Sequence, residues 1–233
     1  MKTIGSWGWR NVYTPPPVAR QNNSLAFITR VKLLDKGIDW AKHRKHPLVF
    51  ITGDAACVVQ DIKEFESWGV PFDIYAVNRS LLLWEKQVEH WVAIDAEESL
   101  WFSQYMPERT MEKYPTLRHT IGDIQVGYDI HWDWGIKFDN DVQGRIFIGN
   151  TGYLAVLTAI EMGYEKVIIA GMPLDRSQHF YEAEAITGPN WAGPCYTQWM
   201  DFVMKEPEAA KRVKSMGGYS AFILGQATKE WLI

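Results

Sequence analysis

The sequence predicts an α/β fold of the doubly wound kind, with a mainly parallel sheet and helices flanking it on both faces. Three observations lead there. Five short runs, "PLVFITG", "FDIYAVN", "HWVAID", "GRIFIGN" and "KVIIAGM", are rich in apolar and β-branched residues, and each has a small or polar residue at or next to its end. Such runs are apolar throughout rather than alternating, which is the mark of strands covered on both faces. Helical patterns fall between several of them, and that alternation gives right-handed βαβ units.

Composition agrees with this class and excludes others. The chain has 233 residues, of which 47% are hydrophobic, enough for one large core. Its formal net charge is −4 with acids and bases interspersed, so no long basic face offers itself to a nucleic-acid backbone. Cys57 and Cys195 are the only cysteines and form no CxxC or Cys/His spacing, which argues against a zinc site or a disulfide framework and fits a reducing cytoplasm. No run approaches the ~20 apolar residues of a membrane span, and the N-terminal stretch lacks the apolar core of a signal peptide. A soluble cytoplasmic chain is expected. The 12 tryptophans suit cores, stacking sites and interfaces alike.

The elements follow in order. Residues 1–23, with "TPPP" at their centre, read as an extended arm, because consecutive prolines favour polyproline II and forbid a regular helix. Such an arm can drape over a second copy of the chain and support a homo-oligomer. Residues 24–233 then form a single Rossmann-like domain. From Ser24 to about His46, the residues Leu25, Ile28, Val31, Leu34, Ile38 and Trp40 recur at near-helical spacing, with Ser24 as N-cap and Pro47 as stop, which predicts an amphipathic helix. The first strand, "PLVFITG", leads into a helix over "CVVQDIKEFESWG", and "FDIYAVN" and "HWVAID" are the next strands. The stretch "DIHWDWGIKFDND", Asp129 to Asp141, alternates acids with aromatics. It reads either as a hairpin packing its tryptophans on the body or as aromatic faces flanked by acceptors, suited to a sugar or a planar ring. "GRIFIGN" then leads into a helix over "GYLAVLTAIEMG", and "KVIIAGM" completes the unit. A glycine- and proline-punctuated loop, "TGPNWAGPCYTQW", has the length of a lid, or serves as a plain connector between body and tail. "TQWMDFVMKEPEAAKRVKSM" reads as a helix broken at Pro207, lid and helix together occupying about 183–219, and "YSAFIL" as a last strand. Cys195 has no partner histidine nearby in sequence and is read as structural.

In open parallel sheets ligands bind outside the carboxyl ends of the strands, so the candidates are the residues that follow each run. These are Gly53 and Asp54, Asn78 and Arg79, Asp95, Gly149 to Gly152, and Gly171 onward. Gly149 permits close backbone approach, Asn150 and Thr151 can cap the next helix, and the amides of Asn150 to Gly152 can face an anion, although the same tetrad serves equally as a plain capped turn. It is neither GxGxxG nor GxxxxGK[ST], which disfavours a nicotinamide cofactor or a Walker-type site. Asn78 can read a base or ribose edge, or simply end a strand. Asp95 can ligate magnesium or a ribose hydroxyl, or cap a helix. His179 can act as general base or hold a leaving phosphate, or be an ordinary loop histidine. Arg79 and Arg176 can offer forked contacts to phosphate, or be solvated.

The strand ends also carry a resemblance. "FITGDAACVVQDI", "IYAVNRSLLLW", "HWVAID" and "GNTGYLAVLTAIEMGYEKVIIAGMPLD", with His179 beyond, resemble in order the pattern of the 6-hydroxymethylpterin diphosphokinase MptE-like family, and bacterial sialyltransferases that use CMP-sialic acid look similar over the same stretches. The match runs from about Pro47 to His179. It implies a nucleotide-dependent transferase with the nucleotide across Gly53, Asp54, Asn78, Asp95, Gly149, Asn150, Thr151 and Gly152, and with His179 and Asp175 as catalytic residues. The implied chemistry is either glycosyl transfer from a CMP-like nucleotide-sugar to an acceptor of unknown identity, or diphosphate transfer from ATP with Mg2+ to a pterin-like acceptor. Two departures bear on this. The family's Gly-Pro-Ser-Leu turn is here Gly53-Asp54-Ala55-Ala56, which puts a carboxylate where phosphate would lie unless a divalent cation intervenes. Its Gly-Met-Asp-Leu is here Gly171-Met172-Pro173-Leu174, with Asp175 two places on. These changes keep open a third reading, a nucleotide-binding or assembly module without turnover. The aromatic and acidic stretch tips the expectation toward glycosyl transfer.

Overall fold

The computed structural model describes residues 26–27, 31–35, 37–94, 116–121, 128–133, 146–147, 151–175, 178–181 and 192–233. Its strands are β1 (Ala26–Phe27), β2 (Lys32–Leu33), β3 (Leu48–Thr52), β4 (Asp73–Val77), β5 (His90–Val92), β6 (Leu117–Ile121), β7 (Ile130–Asp133), β8 (Ile146–Phe147), β9 (Lys166–Ala170) and β10 (Val213–Ser215). The helices are α1 (Val58–Ser67), α2 (Thr151–Glu161), α3 (Ala192–Lys205), α4 (Pro207–Ala210), α5 (Gly218–Leu224) and α6 (Lys229–Leu232). Eight strands form one sheet in the order β10-β9-β3-β4-β5-β6-β7-β2. Every pairing in it is parallel except β2 with β7. This is the doubly wound, Rossmann-like α/β arrangement.

The core follows from strand periodicity. All five residues of β3 and all five of β4 are buried, as continuous apolar strands must be when both faces are covered. Val49, Ile51, Tyr75, Val77, Val167 and Ile169 turn to one face and pack against α2. Leu48, Phe50, Ile168 and Ala170 turn to the other, against Val58, Ile62 and Phe65 of α1, which stand at i, i+4 and i+7. The Phe50 and Phe65 rings stack at 4.2 Å. Burial of each such side chain contributes about 1.5–3 kcal/mol. Helix α2 is buried continuously from Thr151 to Ala159, which explains why its sequence is apolar all round.

The direction of α2 sets where its first turn lies. Tyr75, midway along β4, meets Thr158 of α2 with 2.9 Å between hydroxyl oxygens. Just past the helix, the Tyr164 hydroxyl donates to Asp73 Oδ2, at the start of β4, over 2.8 Å. The helix therefore runs antiparallel to β4, and its first residue, Thr151, stands at the rim where β4 ends. Because α1 covers one face on the way from β3 to β4 and α2 the other on the way to β9, the winding reverses between β3 and β9. That is the topological switch point of the sheet.

Several expectations are corrected. No helix spans Ser24 to His46: Leu33 pairs with Trp132 as β2 closes the edge of β7, the Leu34 amide donates to His131 O at 2.9 Å, and Gly37 at φ +81 precedes a 3-10 turn at Trp40–Lys42 capped by Asp39. The apolar spacing fitted a helix, but the edge of β7 is a stronger partner for this backbone. "GRIFIGN" contributes β8 not to the main sheet but to a two-stranded parallel ribbon with β1. "YSAFIL" is helix α5, in which Ser220 and Leu224 at i, i+4 are buried while Phe222 is 75% exposed. The preceding Val213–Ser215, expected as helix, is β10. The break at Pro207 is present, with the proline at the start of α4. The second half of the expected lid, from Ala192, is helical, with Cys195 buried in it. Trp132, offered to a sugar in one reading of "DIHWDWG", is fully buried in the core. The N-terminal arm lies outside the described residues, and among the described residues no helix is long and apolar enough to cross a membrane.

Candidate functional site

The exits of β3, β4 and β9 are locked to one another by short-range contacts. At the end of β4 the backbone turns through Asn78, whose φ of +49 is a left-handed conformation that asparagine tolerates better than most residues. The Trp91 indole N–H donates to the Asn78 carbonyl at 2.8 Å, which fixes this turn. Ser80 ties it to β3: its hydroxyl accepts from the Val77 amide at 2.9 Å and donates to the Thr52 carbonyl at 2.7 Å. The side-chain oxygen Asn78 Oδ1 is buried and accepts no hydrogen bond from the described residues. A buried acceptor of that kind invites a donor from a ligand.

Gly53 and Gly171 meet at the switch point. A Cβ on Gly53 would stand 2.7 Å from Gly171 O and 2.7 Å from Met172 Cγ. Gly171, at φ +64, leaves as little room, with a Cβ falling 2.6 Å from Val58 Cβ. The Ala55 amide donates to Gly171 O at 3.1 Å. The absent side chain of Gly53 is thus taken up by the neighbouring strand exit. Below, Asp61 of α1 accepts from the Gly171 amide at 2.9 Å. Burial pushes the Asp61 carboxyl up to about 6, against the pull of that hydrogen bond. Burial also pushes the Cys57 thiol up to about 12, helped by the charges of Asp61 and Asp175. A thiol held so high is not a nucleophile at neutral pH.

His179 is brought to the first turn by main-chain contacts. Residues Ala55 and His179 form an antiparallel bridge, the Ala56 amide donates to Gln178 O at 2.9 Å, and the Phe180 amide donates to Asp54 O at 2.8 Å. The His179 ring stacks on Tyr181 at 5.1 Å with planes 22° apart, and the Arg79 guanidinium lies over the same Tyr181 ring at 4.6 Å. Asp54, Asn78, Arg79 and His179, from three strand exits, are in this way gathered on one rim. Gly53 lies beneath them, and Asp175 is close enough to act on Cys57. Thr151 and Gly152 stand on the same rim but on the face opposite α1, and both are buried. Asp95, Gly149 and Asn150 lie outside the described residues. Among the described residues no three His, Cys, Asp or Glu side chains are grouped to hold a metal ion.

Ser80, Asp61 and Tyr181 do not stand out in the sequence. Ser80 sits three places after the last residue of a strand and Asp61 in the first turn of a helix, positions where such residues occur for many reasons. Tyr181 needs the return of its segment over Asp54 to acquire a neighbour.

No protein-family model matches the chain, and no curated protein does. Among solved structures it is similar to the MAf glycosyltransferase from Magnetospirillum magneticum AMB-1, with a TM-score of 0.49 and 12% sequence identity over 75% of this chain and 32% of that one. The chain corresponds to less than a third of that protein's length, and no residue of the site is assigned from the likeness.

Proposed function

We propose that this chain is a nucleotide-dependent transferase, and that its reaction is glycosyl transfer from a nucleotide-sugar donor of the CMP kind. The observation that carries the reading is the gathering of Asp54, Asn78, Arg79 and His179 beside the switch point, where doubly wound sheets bind nucleotides. In this reading Asn78 Oδ1 accepts from an amino group or hydroxyl of the nucleoside, and the first amides of α2 face the phosphate. The acceptor hydroxyl attacks the anomeric carbon, the bond from that carbon to the phosphate oxygen breaks, and the nucleotide leaves with the electron pair. His179 takes the proton of the attacking hydroxyl, and Asp175 supports the positive charge that results.

The Asp54 carboxylate favours a second reading, diphosphate transfer from ATP, because it would welcome Mg2+ bound to phosphate. Thermal-shift titration with CMP, ATP, and ATP with Mg2+ separates these. Stabilisation by CMP alone is the expected result. Stabilisation only by ATP with Mg2+ would move the assignment to the diphosphokinase chemistry, and no response to any of them would leave an assembly module.

A further inference from the structure

The charge of this rim raises a problem for a phosphate-bearing ligand. The described strand exits, Gly53–Cys57, Asn78–Arg79, Gly171–Asp175 and Gln178–Tyr181, carry the acids Asp54 and Asp175, with Asp61 beneath them. Among these residues Arg79 is the one permanent cation. Its guanidinium lies 4.6 Å from the centre of the Tyr181 ring, which is 37% exposed and is itself stacked on His179. The segment that carries Tyr181 is held to the first turn by its bonds to Asp54 and Ala56. A guanidinium laid on an aromatic face loses rotational freedom, and its planar array of N–H donors matches the geometry of phosphate oxygens.

We propose that Arg79 is the anion-binding group of this site, contacting the phosphate of the nucleotide, and that Tyr181 is its positioning residue, keeping the guanidinium beside His179. The assignment rests on the transferase reading, and it deepens that reading by naming the phosphate contact. It also accounts for how a rim with two half-buried carboxylates can accept an anionic donor.

The test is calorimetric titration of the full chain with CMP against cytidine, and with ATP and Mg2+ against adenosine, in wild type and variants. Arg79→Ala is expected to weaken the phosphorylated ligand by about tenfold or more while leaving the nucleoside within about twofold. Tyr181→Leu is expected to weaken the phosphorylated ligand by about three- to fivefold, Tyr181→Phe to restore it, and Tyr181→Leu to add nothing in the Arg79→Ala background. Arg79→Gln serves in place of alanine if thermal melts show loss of fold. Equal weakening of nucleotide and nucleoside by Arg79→Ala overturns the anion assignment. Full additivity of the two substitutions, or a Phe variant as weak as the Leu variant, overturns the role of Tyr181. A wild type that binds none of the four ligands overturns the transferase reading and the anion site with it.

Discussion

His90 Nδ1 lies 3.0 Å from His119 Nε2 inside the core, with both rings fully buried. Their neighbours decide which atom holds each proton. The Trp132 indole can only donate, and it donates to His119 Nδ1 at 3.0 Å. His119 therefore carries its proton on Nε2 and gives it to His90 Nδ1. His90 in turn donates from Nε2 to the Tyr164 hydroxyl at 2.9 Å, and that hydroxyl donates to Asp73. Nitrogen-15 NMR is expected to find both rings neutral and protonated at Nε2. An Nδ1-protonated ring at either position would contradict this chain of bonds.

Acid should weaken the fold early. Burial, with the nearby charge of His43, holds His90 down at about 3, and burial followed by the charges of His90 and His43 keeps His119 well below the ordinary 6.5. The unfolded chain thus binds two protons below pH 6.5 that the native state refuses, so stability is full above 6.5 and falls as pH drops, by about 1.4 kcal/mol per unit for each ring. Asp61 acts in the opposite sense, since a carboxyl raised to about 6 favours the native state as pH falls from about 6 toward its ordinary 3.8. Two protons against one leave a net loss. Urea midpoints at pH 7.5, 6 and 5 are expected to decline in that order, and a flat series would exclude neutral buried histidines.

Gly171→Ala should be strongly destabilising. The new methyl would fall 2.6 Å from Val58 Cβ and 2.7 Å from Gly53 O, in a backbone region that side chains disfavour. A loss of about 2–4 kcal/mol in equilibrium unfolding is expected, since crowding and strain add. Gly69→Ala makes the control: it has a comparable φ of +68 but open space around it, and should cost only about 1 kcal/mol.

Ser80→Ala leaves the Val77 amide without its acceptor and the Thr52 carbonyl without that donor. A cost of about 1–3 kcal/mol follows from stranding buried polar groups. Since the same hydroxyl links the exits of β3 and β4, affinity for whichever nucleotide stabilises the wild type should fall as well. Unchanged affinity in a folded Ser80→Ala protein would separate the link from the site.

His179→Ala is expected to lower turnover by about a hundredfold or more while sparing nucleotide affinity, the pattern of a lost proton acceptor. The assay is donor hydrolysis or transfer once a donor is in hand. A rate within twofold of wild type would remove His179 from the chemistry.

Much of the architecture was legible because parallel strands leave a continuous apolar imprint. Leu48–Thr52, Asp73–Val77 and Lys166–Ala170 were all visible, and so were the helices that cross between them. What escaped was decided by pairing rather than pattern. Leu117–Ile121 and Val213–Ser215 carry charged or polar residues inside short strands, and Lys32–Leu33 becomes a strand only because β7 offers it an edge. The rim was legible at Gly53, Asp54, Asn78 and His179, since fold topology says where strand exits lead. The partners that hold those residues were not, because Ser80, Asp61 and Tyr181 act through contacts between segments far apart in the chain.

The bonds that hold residues 178–181 to Asp54 and Ala56 run through the main chain and are indifferent to which side chains that segment carries. Gly53, Ser80 and Gly171 have no such latitude, each being fitted by shape or by a hydroxyl to its neighbour. Over evolutionary time this divides the rim into a part that the fold itself must inherit intact and a part kept only where its chemistry is used. Relatives that keep the sheet but lose turnover should therefore retain the three small residues and diverge at His179 and Tyr181.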